Sequence, residues 1–232
     1  MNKNLIFRQL FDYDTWTYTY LLADSVSKEA VLIDTVKEQA ERDLEILKEL
    51  GLTLKYVLDT HVHADHVTGA AKLRAATGAK TGLSKNAGVS CADIAIEDGQ
   101  ELHFGNFTIK AIATPGHTDT CVSYYSEAMI FTGDTLFVRD VGRTDFQQGS
   151  NEKMFTSIRE KLFSLPLDTL VYPGHDYHGR MVSTIKEESE LNPKVGTKHD
   201  YEHFKNEMAA LNLGPPKRLH IAVPANLKCG AE

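Results

Sequence analysis

The chain has 232 residues, 42% hydrophobic and 25% charged, with a formal net charge of −7. That balance describes a globular chain long enough to bury a substantial core, and it excludes long disordered stretches. Basic residues are scattered, so nucleic acid is not an expected partner, and no run reaches the ~18 apolar residues of a membrane span.

The N-terminal third alternates short runs rich in β-branched, aromatic and aliphatic residues, "NLIFRQLF", "WTYTYLLA" and "EAVLIDT", which predict neighbouring strands. Residues 36–50 place Val36, Ala40, Leu44 and Leu47 at helical spacing with charge on the other face, and Gly51 follows as a stop. "LKYVLDT" is the next strand and "GAAKLRAATGA" the helix after it. Strands are expected at "FTIKAIATP", "CVSYYS", "AMIFTGD" and "TLVYPG", with a helix near "NEKMFTSIREKLFSL" before the last of these. The final fifty or so residues read as helical and then irregular, ending in "HIAVPANLKCGAE".

"MNKNLIFRQLFDYDTW" has no sustained apolar region of the secretory kind, and a cytoplasmic protein without a membrane partner is expected. Cys91, Cys121 and Cys229 stand far apart and form no CxxC pair. This disfavours a thiolate zinc site and a disulfide framework, and the odd count suits a reducing compartment. Any metal must then be held by His and Asp.

Four segments end a strand-like run on such residues: "THVHADH" with His61, His63, Asp65 and His66, "TPGHTDT" with His117, "FTGDT" with Asp134, and "YPGHDYH" with His175. In extended chain, residues two apart point the same way, so His61 and His63 can face one cavity. Imidazole and carboxylate together suit zinc, iron or manganese. Asp65 alone would read as a helix N-cap, and its neighbours give it weight.

The order HxHxDH, distant His, Asp in a "GD" turn and late His resembles the metallo-β-lactamase superfamily across residues ~55–175. The resemblance implies an α/β fold of four layers, the αβ/βα sandwich, as a single domain over 1–232 with a short C-terminal extension from about 182 to 232. That fold hosts several chemistries, so other segments must choose among them. "GRTDFQQG" (142–149), "HDYHG" (175–179) and the terminal "AVPAN" resemble the persulfide dioxygenases, also called sulfur dioxygenases. Val141 and Gly174 stand where those relatives often carry cysteine and alanine.

Membership of that family implies one Fe(II) per chain, held by His61, His117 and Asp134 in a 2-His-1-carboxylate arrangement with open positions. His63, Asp65, His66 and His175 would then be outer groups or a vestigial second metal site. The implied reaction is oxidation of glutathione persulfide by O₂ and water to sulfite and glutathione, in sulfide and persulfide detoxification. No catalytic residue beyond the metal centre is required, because a persulfide arrives as an anion. Arg143 is the candidate for gripping the glutathione carboxylates, with pairing to Asp140 or Asp145 as its alternative. Tyr177 is the candidate donor to the tripeptide backbone, and it could equally pack under its loop. Relatives also suggest a homodimer.

Cys121 reads as a small buried hydrophobe, and Cys229 as an exposed thiol open to persulfidation or glutathionylation. Two other readings remain open. A glyoxalase II-type hydrolase would use all seven ligands to hold two metals and attack a glutathione thioester. A noncatalytic iron-binding sensor would hold the metal without turnover.

Overall fold

The computed structural model describes residues 2–214 and 218–231. Two six-stranded sheets face each other. The first holds β1 (Leu5–Asp12), β2 (Thr17–Asp24), β3 (Glu29–Ile33), β4 (Thr53–Leu58), β5 (Lys80–Ser84) and β6 (Ile94–Ile96) in chain order. β1, β2 and β3 pair antiparallel, and β3 to β6 run parallel. The second runs β12 (Ser183–Thr184), β11 (Leu170–Pro173), β10 (Met129–Gly133), β9 (Val122–Ser126), β8 (Phe107–Ala113) and β7 (Glu101–Phe104). Only β10 and β11 are parallel neighbours in it.

Strand periodicity explains the layers. β2 is buried at all eight residues because both of its faces are covered. Tyr18, Tyr20 and Leu22 face the second sheet and meet Phe131, Tyr124 and Ile109. Leu21 and Ala23 face outward beneath α1 (Ala40–Glu49) and α2 (Ala70–Thr77), against Ala40, Leu47 and Leu73. Tyr20 packs 4.9 Å from Phe131 across the sheets, and its hydroxyl donates to the Pro173 carbonyl at 2.6 Å. The outer face of the second sheet, with Ile130 and Val171, packs on α3 (Asn151–Thr156), a π-helical continuation (Ser157–Leu162), α4 (Ile185–Leu191) and α5 (Tyr201–Ala209). The result is the expected four-layer αβ/βα sandwich.

The C-terminal fifty residues are drawn into these layers. β12, α4 and α5 complete the second sheet and its helical cover, and Phe204 is fully buried there. α6 (Leu219–Asn226) is a helix where an irregular tail was expected. Pro224 misleads the reading, since it removes one amide and reads as a breaker, yet it is accommodated within this helix. Residues 215–217 of the same segment lie outside the described residues.

The cysteine expectations are corrected here. Cys91 and Cys229 form a disulfide across 138 residues of sequence, and Cys229 is 4% exposed, so it is neither free nor on the surface. Spacing could not show this, because the pair closes only once α6 returns to the first sheet. Cys121 is free and buried, as expected.

Candidate metal centre

The parallel pairs β3/β4 and β10/β11 point their C-terminal ends at one edge of the sandwich, where the loops can carry chemistry. β4 ends at Leu58 and opens into an irregular loop bearing His61, His63, Asp65 and His66. His117 lies between β8 and β9, Asp134 directly after β10, and His175 two residues after β11. The sheets are stitched together at this edge: Val122 donates its amide to the Thr60 carbonyl at 2.8 Å, and Tyr18 to that of Gly174 at 2.9 Å. Gly133 turns the chain into Asp134 at φ +49, and a Cβ there would sit 2.3 Å from the Thr60 hydroxyl. Only glycine meets both demands.

Donor atoms of His61, His117 and Asp134 lie within 4.8 Å of one another. His117 donates from Nδ1 to the Arg143 carbonyl at 2.6 Å, which directs Nε2 toward Asp134, 3.6 Å from its Oδ2. His61 places Nδ1 3.0 Å from the Thr60 hydroxyl. Burial, helped by the neighbouring His63 and His117, pushes the His61 pKa well below the usual value, so its ring is neutral as a metal ligand must be.

A second group gathers His63, Asp65 and His66, again within 4.8 Å. His66 Nδ1 meets Asp65 Oδ2 at 2.7 Å, and His63 Nε2 meets Asp34 Oδ1 at 3.1 Å with Asp59 behind it at 3.8 Å. Burial opposes charge on His63, but Asp34, Asp59 and Asp65 outweigh it and raise the pKa to about 10. Burial likewise opposes the ionised Asp65, and His66 and His175 hold that carboxyl well below its ordinary range. His175 stands between the groups: Nδ1 donates to the Trp16 carbonyl at 3.0 Å, and Nε2 lies 3.6 Å from Asp65 and 3.5 Å from Asp134.

Three buried polar atoms here have no hydrogen-bond partner, Asp134 Oδ1, His63 Nδ1 and His66 Nε2. An unpaired buried polar atom costs about 1–3 kcal/mol, so three among these imidazoles and carboxylates are expected to serve a ligand. Imidazoles and carboxylates without thiolate fit a divalent cation of the zinc, iron or manganese kind.

Residues 17–175 match the metallo-β-lactamase superfamily. The chain is 48% identical to the mitochondrial persulfide dioxygenase ETHE1 of Bos taurus, over 98% of this chain and 90% of that protein. It belongs to the persulfide dioxygenase family. The crystal structure of ETHE1 from Myxococcus xanthus superposes with a TM-score of 0.95 at 50% identity, covering 97% of this chain and all of that one. A hydroxyacylglutathione hydrolase of Brucella anthropi is 44% identical over only 56% of this chain. The dioxygenase likeness therefore runs through the C-terminal region as well as the ligand loops.

The family-type segments reach the centre through backbone more than through side chains. The Arg143 side chain pairs with its own loop and with the backbone at Gly214. Its Nε and Nη2 hold the Asp145 carboxylate at 2.6 and 2.7 Å, Nη1 donates to the Gly214 carbonyl at 2.7 Å, and its fork stacks 4.4 Å from the Phe146 ring. The pairing alternative is what the structure presents, while the Arg143 carbonyl orients His117. Gln147 donates to the Val62 carbonyl, between His61 and His63, at 2.8 Å. Tyr177 is exposed, and its ring stacks on His175 at 6.1 Å. Partial desolvation, together with the negative charges of Asp134 and Asp65, raises its pKa, so it remains an O–H donor.

Sequence reasoning missed Asp34 and Asp59, which are buried and face His63. A signal was present: β3, β4 and β10 each run out into Asp-Thr, at Asp34-Thr35, Asp59-Thr60 and Asp134-Thr135. It also missed Asn226, whose side chain donates to the His63 and His66 carbonyls.

Proposed function

We propose that the chain is a persulfide dioxygenase that uses one Fe(II), held by His61, His117 and Asp134, to oxidise glutathione persulfide. The observation that supports the reading is that donor atoms of His61, His117 and Asp134 lie within 4.8 Å of one another, a complete two-histidine, one-carboxylate set. A two-histidine, one-carboxylate set leaves open positions, which oxygen chemistry needs. Iron bound there supplies the route to O₂ and a counter-charge for the persulfide anion. Glutathione persulfide, O₂ and water would leave as glutathione, sulfite and two protons.

The protein groups do the rest. The Arg143 carbonyl and the Thr60 hydroxyl fix the rings of His117 and His61. His175, buried and anchored on Trp16, faces the Asp134 oxygen that has no other partner. Tyr177 and Trp16, with ring centroids 6.2 Å apart, flank His175 at the surface, where a tripeptide carrier can lie. Tyr177 offers the hydroxyl.

An oxygen electrode with glutathione persulfide, followed by a sulfite assay, tests this reading, alongside the iron content. Oxygen uptake with sulfite formed and one iron per chain are expected. Two metals, hydrolysis of S-lactoylglutathione and no oxygen uptake would establish the hydrolase instead, and a flat trace from iron-loaded protein the sensor. A homodimer and a cytoplasmic location belong to the same proposal. Sedimentation tests the first and cell fractionation the second, since the mammalian relatives are described as mitochondrial. Among the described residues no helix is long and apolar enough to cross a membrane.

A further inference from the structure

The terminal "AVPAN" run ends α6 on Asn226, whose side chain is 3% exposed and points into the histidine loop. Its Nδ2 donates to the His63 carbonyl at 2.9 Å and to the His66 carbonyl at 2.8 Å, and its Oδ1 accepts from the Thr68 amide at 2.8 Å. Both N–H donors and one of the two acceptor positions of that amide are therefore used on one six-residue stretch some 160 residues away in sequence. The stretch 61–67 has no helix or strand ladder to satisfy its carbonyls, so they must be held from outside.

We propose that Asn226 is a positioning residue for the metal centre: by clamping the carbonyls of His63 and His66 it fixes where those rings point. The carboxylates of Asp34 and Asp65 orient the imidazoles at their far ends, and Asn226 fixes the backbone from which they project. The segment carrying Asn226 is independently tied down. Cys229 is bonded to Cys91, the Cys229 carbonyl accepts from the Ala71 amide at 3.1 Å, and Gly230 lies so close to Thr68 that a Cβ would meet its carbonyl at 2.2 Å. An isosteric aspartate at 226 would keep the volume but could not donate, and would set a carboxylate against two carbonyl oxygens.

The inference rests on the metal-centre reading, and the test separates the two. Metal-free full-length protein is titrated with Co(II) alone, read by its visible ligand-field band, for the wild type, Asn226→Asp and Cys91→Ser. We expect the wild type to bind, and Asn226→Asp to bind about 10–100-fold more weakly with an altered band, the scale of changes to groups that orient ligands. Cys91→Ser, which loosens the same segment while keeping the amide, is expected to keep the wild-type band and an affinity within about threefold, well under that scale. Wild-type affinity and band in a folded Asn226→Asp variant would overturn the assignment, as would an equal loss in Cys91→Ser. Failure of the wild type to bind Co(II) would overturn the metal-centre reading beneath it. Should Asn226→Asp not fold by circular dichroism, Asn226→Ser, which is shorter and has one donor, is read in its place with the same expectation.

Discussion

The two halves of the ligand set are built differently. His61, His117 and Asp134 arrive from three separate connections, with a carbonyl orienting His117 and a hydroxyl beside His61. His63, Asp65 and His66 come from four consecutive residues and depend on Asp59 four residues before His63 and on groups from elsewhere, Asp34 after β3 and Asn226 at the end of α6. Three independent supports make a rigid triad, whereas a contiguous stretch is only as fixed as what grips it. A rigid triad with open positions suits a metal that must also take O₂ and a sulfur ligand.

Replacing a member of each half is the sharpest way to break this comparison. Asp134→Ala removes the only carboxylate of the triad, and loss of both iron and activity is expected, beyond the ~10–100-fold typical of outer groups. Iron content of the purified variant checks it, and unchanged iron would refute the ligand assignment. Asp65→Ala strikes the other half. Iron affinity should fall by roughly 10–100-fold while the saturated protein still holds one iron per chain. If the wild type held two metals and this variant one, the halves would be equal partners in a dinuclear site.

A smaller effect is expected at the loop beside His117. Arg143 and Asp145 share one ion pair, with the arginine side chain only 14% exposed. Arg143→Ala and Asp145→Ala should therefore raise KM for glutathione persulfide to a similar extent, with kcat within about threefold, because the pair fixes the loop and makes no transition-state contact. A large KM increase in Arg143→Ala alone would return the guanidinium to the substrate.

Much of this was legible in sequence, and the boundary of legibility has physical causes. The strands β1 to β4 and β8 to β11 declared themselves because each is a run of β-branched, aromatic and aliphatic residues. The ligands did so because three imidazoles in six residues have few other uses. β5, β6 and β7 were not recognised. β5 is the five residues "KTGLS", with Gly82 at its centre because a Cβ there would meet Leu58 at 2.7 Å. A close approach to a neighbouring strand looks in sequence like a turn. Asp34 and Asp59 passed as turn residues, and Asn226 as part of a tail. The meaning of Asp34 and Asn226 lies in contacts made across 26 to 163 residues, which no local pattern records.

Cys91 and Cys229 let the grip on the second half be loosened without touching a ligand. Opening a disulfide that closes so long a loop is expected to cost about 2–4 kcal/mol, so Cys91→Ser should melt several degrees lower. Activity per iron should be retained. A melting point equal to the wild type would mean that α6 is held by its hydrogen bonds alone.

The smallest effect concerns the triad's own side of the cavity, where Cys121 sits four residues after His117. Burial pushes its thiol up to about 12, against the opposing hydrogen bonds from Thr118, and it is only 3% exposed. The thiolate is the reactive form, so at pH 8 it is scarce as well as inaccessible. Titration with a thiol reagent should therefore find none of the three cysteines in the native protein, one after denaturation without reductant, and all three after reduction. One thiol reacting in the native state at this pH would place Cys121 within reach of solvent and of the substrate's sulfur. Two would show that the tie between the first sheet and α6 is open, and with it one of the anchors of the second half.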